Sequence, residues 1–264
     1  MTGYRRPVSE RSLDALRAPE LASRLSNRSI LVLPVGATEQ HGPHLPYNTD
    51  TVIAEAVARA TVGEVGDELD AWLLPTLSYT KSNEHAWSSG TFWLSARTLL
   101  SVLEDVGRCA AATPARRLVF MNGHGGNSSL LNVACRELRL QFGLQTFLAH
   151  PGLPPDQGGQ SPAEELGMGI HGGLDETSLM LHLRPELVDL EAGFRNVPEP
   201  MAANQYVRFG GRVSFGWLSN DFGPSGHIGD PTGATADRGK VLFEGAVRAF
   251  GDALAEVASF EFGQ

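Results

Sequence analysis

The feature that most constrains this chain is a short apolar run followed at once by side chains that can bind metal ions. The run Ile30–Val35 is rich in leucine and β-branched residues, which is typical of a buried strand. The stretch after it contains Glu39, His41, His44 and Asp50. Carboxylate and imidazole groups together are ligands for zinc, manganese or iron. The pattern therefore predicts a divalent-metal site at the carboxyl end of a strand.

Strand patterns alternate with helical patterns through much of the chain. Alternation of this kind requires crossover connections, so it predicts an α/β fold with a mainly parallel sheet. Sites in such sheets lie beyond the carboxyl ends of the strands. In chain order, the predicted elements are helix Ala18–Leu25, strand Ile30–Val35, helix Asp50–Ala60 with Thr49 or Asp50 as its cap, strand Ala71–Pro75, helix Ser95–Ala112, strand Arg117–Met121, helix Leu131–Phe142, strand Leu144–Ala149, helix Asp175–Leu183 and helix Ala234–Val257.

Composition limits the class of protein. The 264 residues fit one domain, 1–264, in which residues 1–12 form an N-terminal arm. No run is apolar enough to cross a bilayer, and the N-terminus lacks the apolar core of a secretory signal. A net charge of −9 without a Lys/Arg cluster argues against nucleic-acid binding. The two cysteines both fall in predicted helices, which favours a reduced, cytoplasmic protein.

A second candidate ligand, His124, lies in the loop Asn122-Gly-His-Gly-Gly-Asn127, directly after the third predicted strand. Glycines beside a histidine permit close backbone approach, and asparagines hydrogen-bond turns. The same sequence fits a plain tight turn in which the histidine is incidental. A phosphate-binding loop is disfavoured because the Walker lysine and the dinucleotide spacing are absent.

A third group, His171, Asp175 and Glu176, lies where a loop joins a predicted helix. In one interpretation Asp175 caps the helix and Glu176 only favours its first turn. In the other, Glu176 binds a metal ion and His171 transfers protons. The Pro- and Gly-rich segment 151–169 before this group is predicted to be a lid or an oligomer contact. Weaker site candidates are His227 with Asp230, and the residues predicted to contact substrate, which are Glu84, His85, Trp87, Asn122, Gly125 and Gly126.

Taken in order, three of these segments resemble the signature motifs of the creatininase (creatinine amidohydrolase) family. They are Gly36–Pro46, Asn122–Asn127 and His171–Ser178, and Gly229–Ala236 is similar to the family's C-terminal pattern. The resemblance implies a three-layer αβα sandwich with a dinuclear metal site. It also implies a homo-oligomer, with a hexamer favoured.

The resemblance also implies a ligand set, with Asp50 bridging both metal ions. Creatininase itself has a ligating glutamate two residues after the histidine that corresponds to His124, where this chain has Gly126. We infer that Glu176 supplies the missing carboxylate. The resulting sets are Glu39, Asp50 and His124 on one metal, and His41, Asp50 and Glu176 on the other.

These assignments predict a metal-dependent hydrolase of a small molecule, acting on a non-peptide C–N bond such as that of a cyclic amide or a formamide. Water activated by two divalent ions (Zn2+, Mn2+ or Fe2+) attacks the carbon. His171 then protonates the leaving nitrogen, so His171 and Glu176 are the predicted catalytic residues. Creatininase itself has tryptophans in the stretch before its histidine-glycine-glycine motif. The corresponding stretch of this chain, Pro151–Ile170, contains none, so creatinine itself is disfavoured as the substrate.

Two alternatives stay open. One is a peptidase that acts on a small modified peptide of the mycofactocin-precursor type. The other is a non-catalytic, metal-stabilised binding protein, for which a closed coordination sphere is expected.

Overall fold

The computed structural model describes residues 11–152 and 162–263, and within them four strands form one parallel sheet. The strands are β1 (Ile30–Val35), β2 (Ala71–Leu73), β3 (Arg117–Asn122) and β4 (Gln145–Ala149), in the spatial order β2-β1-β3-β4. The α-helices are α1 (Ala18–Arg24), α2 (Thr49–Leu69), α3 (Ala96–Ala111), α4 (Ser128–Phe142), α5 (Leu174–Leu183), α6 (Glu199–Ala202) and α7 (Ala236–Ser259).

Helices cover both faces of the sheet, so the predicted three-layer α/β architecture is confirmed. Successive side chains of a strand point to opposite faces. Leu31 and Leu33 therefore pack in the layer that contains α3 and α4, while Ile30 and Val32 pack in the layer that contains α2 and α7. Burial of both faces explains why β1 is a continuous apolar run without polar alternation.

The register of the two central strands determines where the candidate site lies. β1 and β3 are parallel neighbours, and Val35 at the end of β1 pairs with Asn122 at the end of β3. The loops that follow the two strands therefore leave the same edge of the sheet side by side. The Glu39 loop and the His124 loop are adjacent for this reason.

The predicted helix caps were wrong. Helix α2 begins at Thr49 after Asn48, so Asp50 lies inside the first turn. Asp175 likewise lies inside the first turn of α5, where it accepts a hydrogen bond of 2.6 Å from Arg238. A carboxylate in the first turn is favoured by the helix dipole without being the cap. In the case of Asp50, this placement leaves the carboxylate free to face the strand ends.

At the sheet edge, the structure revises the end of one predicted strand and shows the contacts of two residues of the predicted arm. Strand β2 ends at Leu73 rather than Pro75, because a proline has no N–H to donate to a neighbouring strand. Arg11 and Ser12, the last residues of the predicted arm, lie against β2, where the Leu73 N–H donates to Arg11 O at 2.8 Å. The rest of the arm and residues 153–161 lie outside the described residues. Among the described helices, none combines the length and apolar character that crossing a membrane requires.

Candidate metal centre

Three loops meet at the carboxyl edge of the sheet, and the Asn127 side chain joins them. Its amide nitrogen donates to Gly36 O at 3.2 Å, and its amide oxygen accepts from the Lys81 N–H at 3.1 Å. Asn127 is itself fully buried. The loops after β1, β2 and β3 are thereby fixed relative to one another before any ligand group is considered.

The first group of facing side chains consists of Glu39, Asp50 and His124. The His124 Nδ1 atom lies 3.2 Å from Glu39 Oε1 and 3.1 Å from Asp50 Oδ2. All three side chains are buried, and one ligand atom from each lies within 4.8 Å of the others. These three residues are the first of the two sets inferred from the sequence.

The second group consists of His41, Asp50 and Glu176. The His41 Nε2 atom lies 3.1 Å from Asp50 Oδ1 and 3.6 Å from Glu176 Oε1. The Glu176 side chain is 23% exposed whereas Glu39 is fully buried, so the second group is the one nearer to solvent. The two groups share Asp50, with one carboxylate oxygen facing each histidine.

The backbone orients both imidazole rings. His41 Nδ1 lies 3.1 Å from Glu39 O, and His124 Nε2 lies 2.9 Å from Lys81 O. A carbonyl oxygen only accepts hydrogen bonds, so both of these nitrogens carry the proton. The other nitrogen of each ring therefore faces the carboxylates, and its lone pair would be available to a metal ion bound between them.

The residues present fit a pair of divalent cations. Among the described residues, Glu39 Oε1 and Asp50 Oδ2 are buried oxygens without a hydrogen-bond partner. Burial disfavours protonation of His41 and His124, yet the surrounding carboxylates raise the pKa of both imidazoles well above the usual value. The cluster thus attracts positive charge, and an unpaired buried carboxylate is costly without it. Oxygen and nitrogen donors of this kind suit zinc, manganese or iron.

His171 lies directly over this cluster. Its Nε2 donates to Gln40 O at 2.7 Å, and its Nδ1 lies 3.6 Å from Glu39 Oε1. Its ring is stacked between those of His41 and His85, with centroid distances of 4.2 and 4.3 Å. Burial and the neighbouring His41 lower the pKa of His171 well below its usual value. Glu39, His41 and His171 also form a third possible ligand group, so His171 is placed either to transfer protons or to bind a metal ion.

The residues predicted to contact the substrate differ in how deeply they are buried. His85 is buried, with its Nε2 atom 3.5 Å from Glu39 Oε1, and Glu84 is buried beside His124. Trp87 is 39% exposed and donates to Ser219 Oγ at 2.7 Å. Asn122 is buried and donates to the backbone of its own loop, at His124 O.

The two glycines of this loop differ from each other. A Cβ atom at Gly125 would meet no other atom within 4 Å, whereas one at Gly126 would collide with Glu84 and His124.

The weaker candidates His227 and Asp230 have contacts that explain them without a metal ion. The buried His227 donates from Nε2 to Phe194 O at 2.7 Å. Asp230 caps the turn that follows it, where its Oδ1 accepts from the Thr232 N–H at 3.1 Å. Neither residue belongs to a ligand group among the described residues.

Sequence reasoning missed three residues that hold the site together. Besides Asn127, these are Ser82, whose hydroxyl donates to Glu39 Oε2, and Gln40, whose side chain contacts His85 Nδ1 at 2.9 Å and Gly226 O at 3.0 Å. Gln40 and Asn127 lie within motif loops, and Ser82 lies two residues before Glu84 in the loop that contains some of the predicted substrate contacts. Only that position could have marked them, because their partners lie in other loops.

His44 lies behind the site rather than in it. Its Nε2 lies 3.1 Å from Gly172 O and from Thr177 Oγ1. Its Nδ1 is buried and has no hydrogen-bond partner among the described residues. Burial and the neighbouring His227 lower the pKa of His44 to about 4.

We expect His44→Gln to reduce the acid sensitivity of the fold. Between pH 6.5 and about 4 the unfolded chain binds a proton at His44 that the folded chain does not. The free energy of unfolding therefore falls as the pH falls through this window, by up to about 3 kcal/mol for a shift of this size. Urea unfolding at several pH values from 7 to 4 measures this pH dependence. Substitution of the half-buried His182 in His182→Gln is the control. Equal pH dependence in wild type and His44→Gln would contradict the assignment.

Known proteins with similar sequences identify the family of this chain. The family model for creatininase, described as creatinine amidohydrolase, matches residues 14–254. The mycofactocin precursor peptide peptidase of Mycobacterium ulcerans is 38% identical over 219 residues, which are 81% of this chain and 79% of that protein. The creatinine amidohydrolase of Pseudomonas putida is 39% identical over 179 residues, which are 61% of this chain and 67% of that protein.

The fold is similar as well. The crystal structure of creatinine amidohydrolase (creatininase) matches with a TM-score of 0.72 and 27% identity, covering 95% of this chain and 99% of that one. The family model spans most of the sequence, and the solved structures share the sheet and its helical layers. The chain therefore belongs to the creatininase family of hydrolases.

Proposed function

We propose that this chain hydrolyses an amide C–N bond with the help of two divalent metal ions. The observation that carries the proposal is the pair of buried oxygens without hydrogen-bond partners among the described residues, Glu39 Oε1 and Asp50 Oδ2, which both face His124 Nδ1. Bound cations would supply Lewis-acid polarisation and an acidified water at this point. Zinc and manganese are the favoured ions, because similar structures are named creatininase Mn and creatininase of Zn-Zn type.

The arrangement favours an enzyme over a closed, structural metal site. Each of the two groups contains three protein residues, which is the number that leaves a coordination position open in catalytic zinc sites. Glu176 is the partly exposed ligand, so the substrate would approach from its side. His171 is held by Gln40 O at one nitrogen, and its other nitrogen is free to carry a proton to the leaving amine.

For the substrate, we propose a peptide amide first and a small cyclic amide second. Relatives named mycofactocin precursor peptide peptidase match 81 to 85% of this chain, against 61% for creatinine amidohydrolase. The loop that hydrogen-bonds to Thr38 also exposes aromatic side chains, with Phe92 at 64% and Trp93 at 42% exposure. Exposed aromatic rings beside the ligand loop suit a substrate that extends out of the site.

A substrate panel tests this function. Protein loaded with zinc or manganese is incubated with mycofactocin precursor peptide, short peptides, creatinine, hydantoins and formamides, and the products are identified by mass spectrometry. We expect a peptide to be cleaved fastest, with activity lost on chelation and regained on adding metal. Glu39→Gln protein is the control for contaminating hydrolases. Cleavage that survives chelation, or no C–N cleavage by metal-loaded protein, would refute the proposal.

A further inference from the structure

The space that a side chain at Gly126 would need is occupied by the side chains of other residues. A Cβ atom at this position would overlap with Glu84 Oε1 and with His124 Nε2. The glycine does not have a positive φ, so its backbone conformation would accept any residue. Space, rather than backbone conformation, therefore restricts this position to glycine.

Glu84 reaches this space from a different loop. It belongs to the short turn Asn83–His85, which follows β2 in the chain, and it is 8% exposed. Its Oε2 accepts from Lys81 Nζ at 2.9 Å, and its Oε1 lies 3.4 Å from His124 Nε2. The ion pair with Lys81 thus holds the carboxylate beside the histidine.

The carboxylate lies on the side of His124 that faces away from Glu39 and Asp50. His124 Nε2 carries the proton, because it donates to Lys81 O, and Nδ1 faces the ligand carboxylates, where its lone pair would bind a metal ion. A negative charge beside the N–H of a metal-binding histidine fixes the tautomer and the ring, and makes the opposite nitrogen a stronger donor.

We propose that Glu84 is a positioning residue for His124. The absence of a side chain at Gly126 leaves room for the Glu84 carboxylate. The inference rests on the proposed metal-dependent function. The chain accommodates the Glu84 carboxylate or a side chain at position 126, but not both. Glu84 would then act on metal affinity through His124, without being a ligand itself.

Zinc affinity of the wild-type chain and of Glu84→Gln tests the first half of this proposal. Glutamine keeps the size of the side chain but removes its charge, so we expect zinc to bind roughly 10- to 100-fold more weakly in competition with a chelating dye. The visible spectrum of the cobalt-loaded protein should change as well, which loss of a merely structural contact would not cause. Exposed Glu68→Gln is the matched control, and thermal melting of the metal-free proteins checks folding.

A double-mutant cycle tests the second half. Gly126→Ala should weaken zinc binding in the wild-type chain, because the new methyl group displaces the Glu84 carboxylate. In a Glu84→Ala background the same change should cost much less, so the two effects should be clearly less than additive.

The outcomes separate this inference from the proposed function. Unchanged zinc affinity and cobalt spectrum in Glu84→Gln, or additive effects in the cycle, would overturn the role of Glu84 while leaving the metal centre intact. A wild-type chain that binds no metal at all would overturn both.

Discussion

Asp50→Asn is expected to remove metal from both positions of the centre and to abolish turnover. Asp50 is the residue that the two ligand groups share, with Oδ1 facing His41 and Oδ2 facing His124. The amide has one acceptor oxygen and no charge, so it cannot serve both positions. We expect metal affinity to fall by more than about 100-fold, beyond the range seen when a residue behind the ligands is changed. Metal content after dialysis, measured by mass spectrometry, and turnover of the best panel substrate give the result.

Asp237→Asn is a close control for this change. Asp237 also lies in the first turn of a helix, α7, but it is exposed and belongs to none of the ligand groups of the described residues. Both substitutions remove the same favourable contact with a helix dipole, worth about 0.3–1 kcal/mol. Only Asp50→Asn should lose metal. If Asp50→Asn kept its full metal content, the bridging role would be wrong.

His171→Ala is expected to keep the metal ions and to lower kcat by roughly two to four orders of magnitude. The expectation follows from the position of the ring, which lies over the cluster with Nδ1 facing Glu39 and Nε2 fixed by Gln40 O. Small changes in KM are expected, because proton transfer matters in the transition state more than in binding. Steady-state kinetics and metal analysis of the same preparation measure both effects.

Metal analysis of this variant also separates the two roles that the geometry allows. His171 forms a possible ligand group with Glu39 and His41, so a ligand role would show as loss of metal together with activity. His182→Ala is the control, since that ring is half-buried against Phe243 and lies outside every ligand group of the described residues. Undiminished turnover in His171→Ala would rule out proton transfer by this residue.

Much of the fold was predictable because local sequence patterns determine it. The apolar runs of β1 and β3 are buried on both faces, and such runs are recognisable without knowing their neighbours. The parallel arrangement follows from the helices between them, and the site edge follows from the parallel arrangement. Helix caps were less predictable. Asn48 precedes α2 without making a side-chain cap hydrogen bond, and Gly173, which has no side chain, precedes α5.

The interior of the site was less predictable because its contacts join distant loops. Glu39 and His41 stood out by residue type, whereas Ser82 and Asn127 are common polar residues whose importance comes only from their partners. The relation between Glu84 and Gly126 is of the same kind. The sequence shows that position 126 lacks a side chain, but only the fold shows which carboxylate occupies the space.

The three histidines of the possible ligand groups share one feature, which affects how the site can change in evolution. Each donates its N–H to a main-chain carbonyl: His41 to Glu39 O, His124 to Lys81 O and His171 to Gln40 O. A carbonyl group is present whatever residue occupies the position. Substitutions at Lys81 or Gln40 can therefore reshape the surroundings without removing the acceptor that orients the ring. Ring orientation is encoded in the path of the loops, which leaves the neighbouring side chains free to change with the substrate.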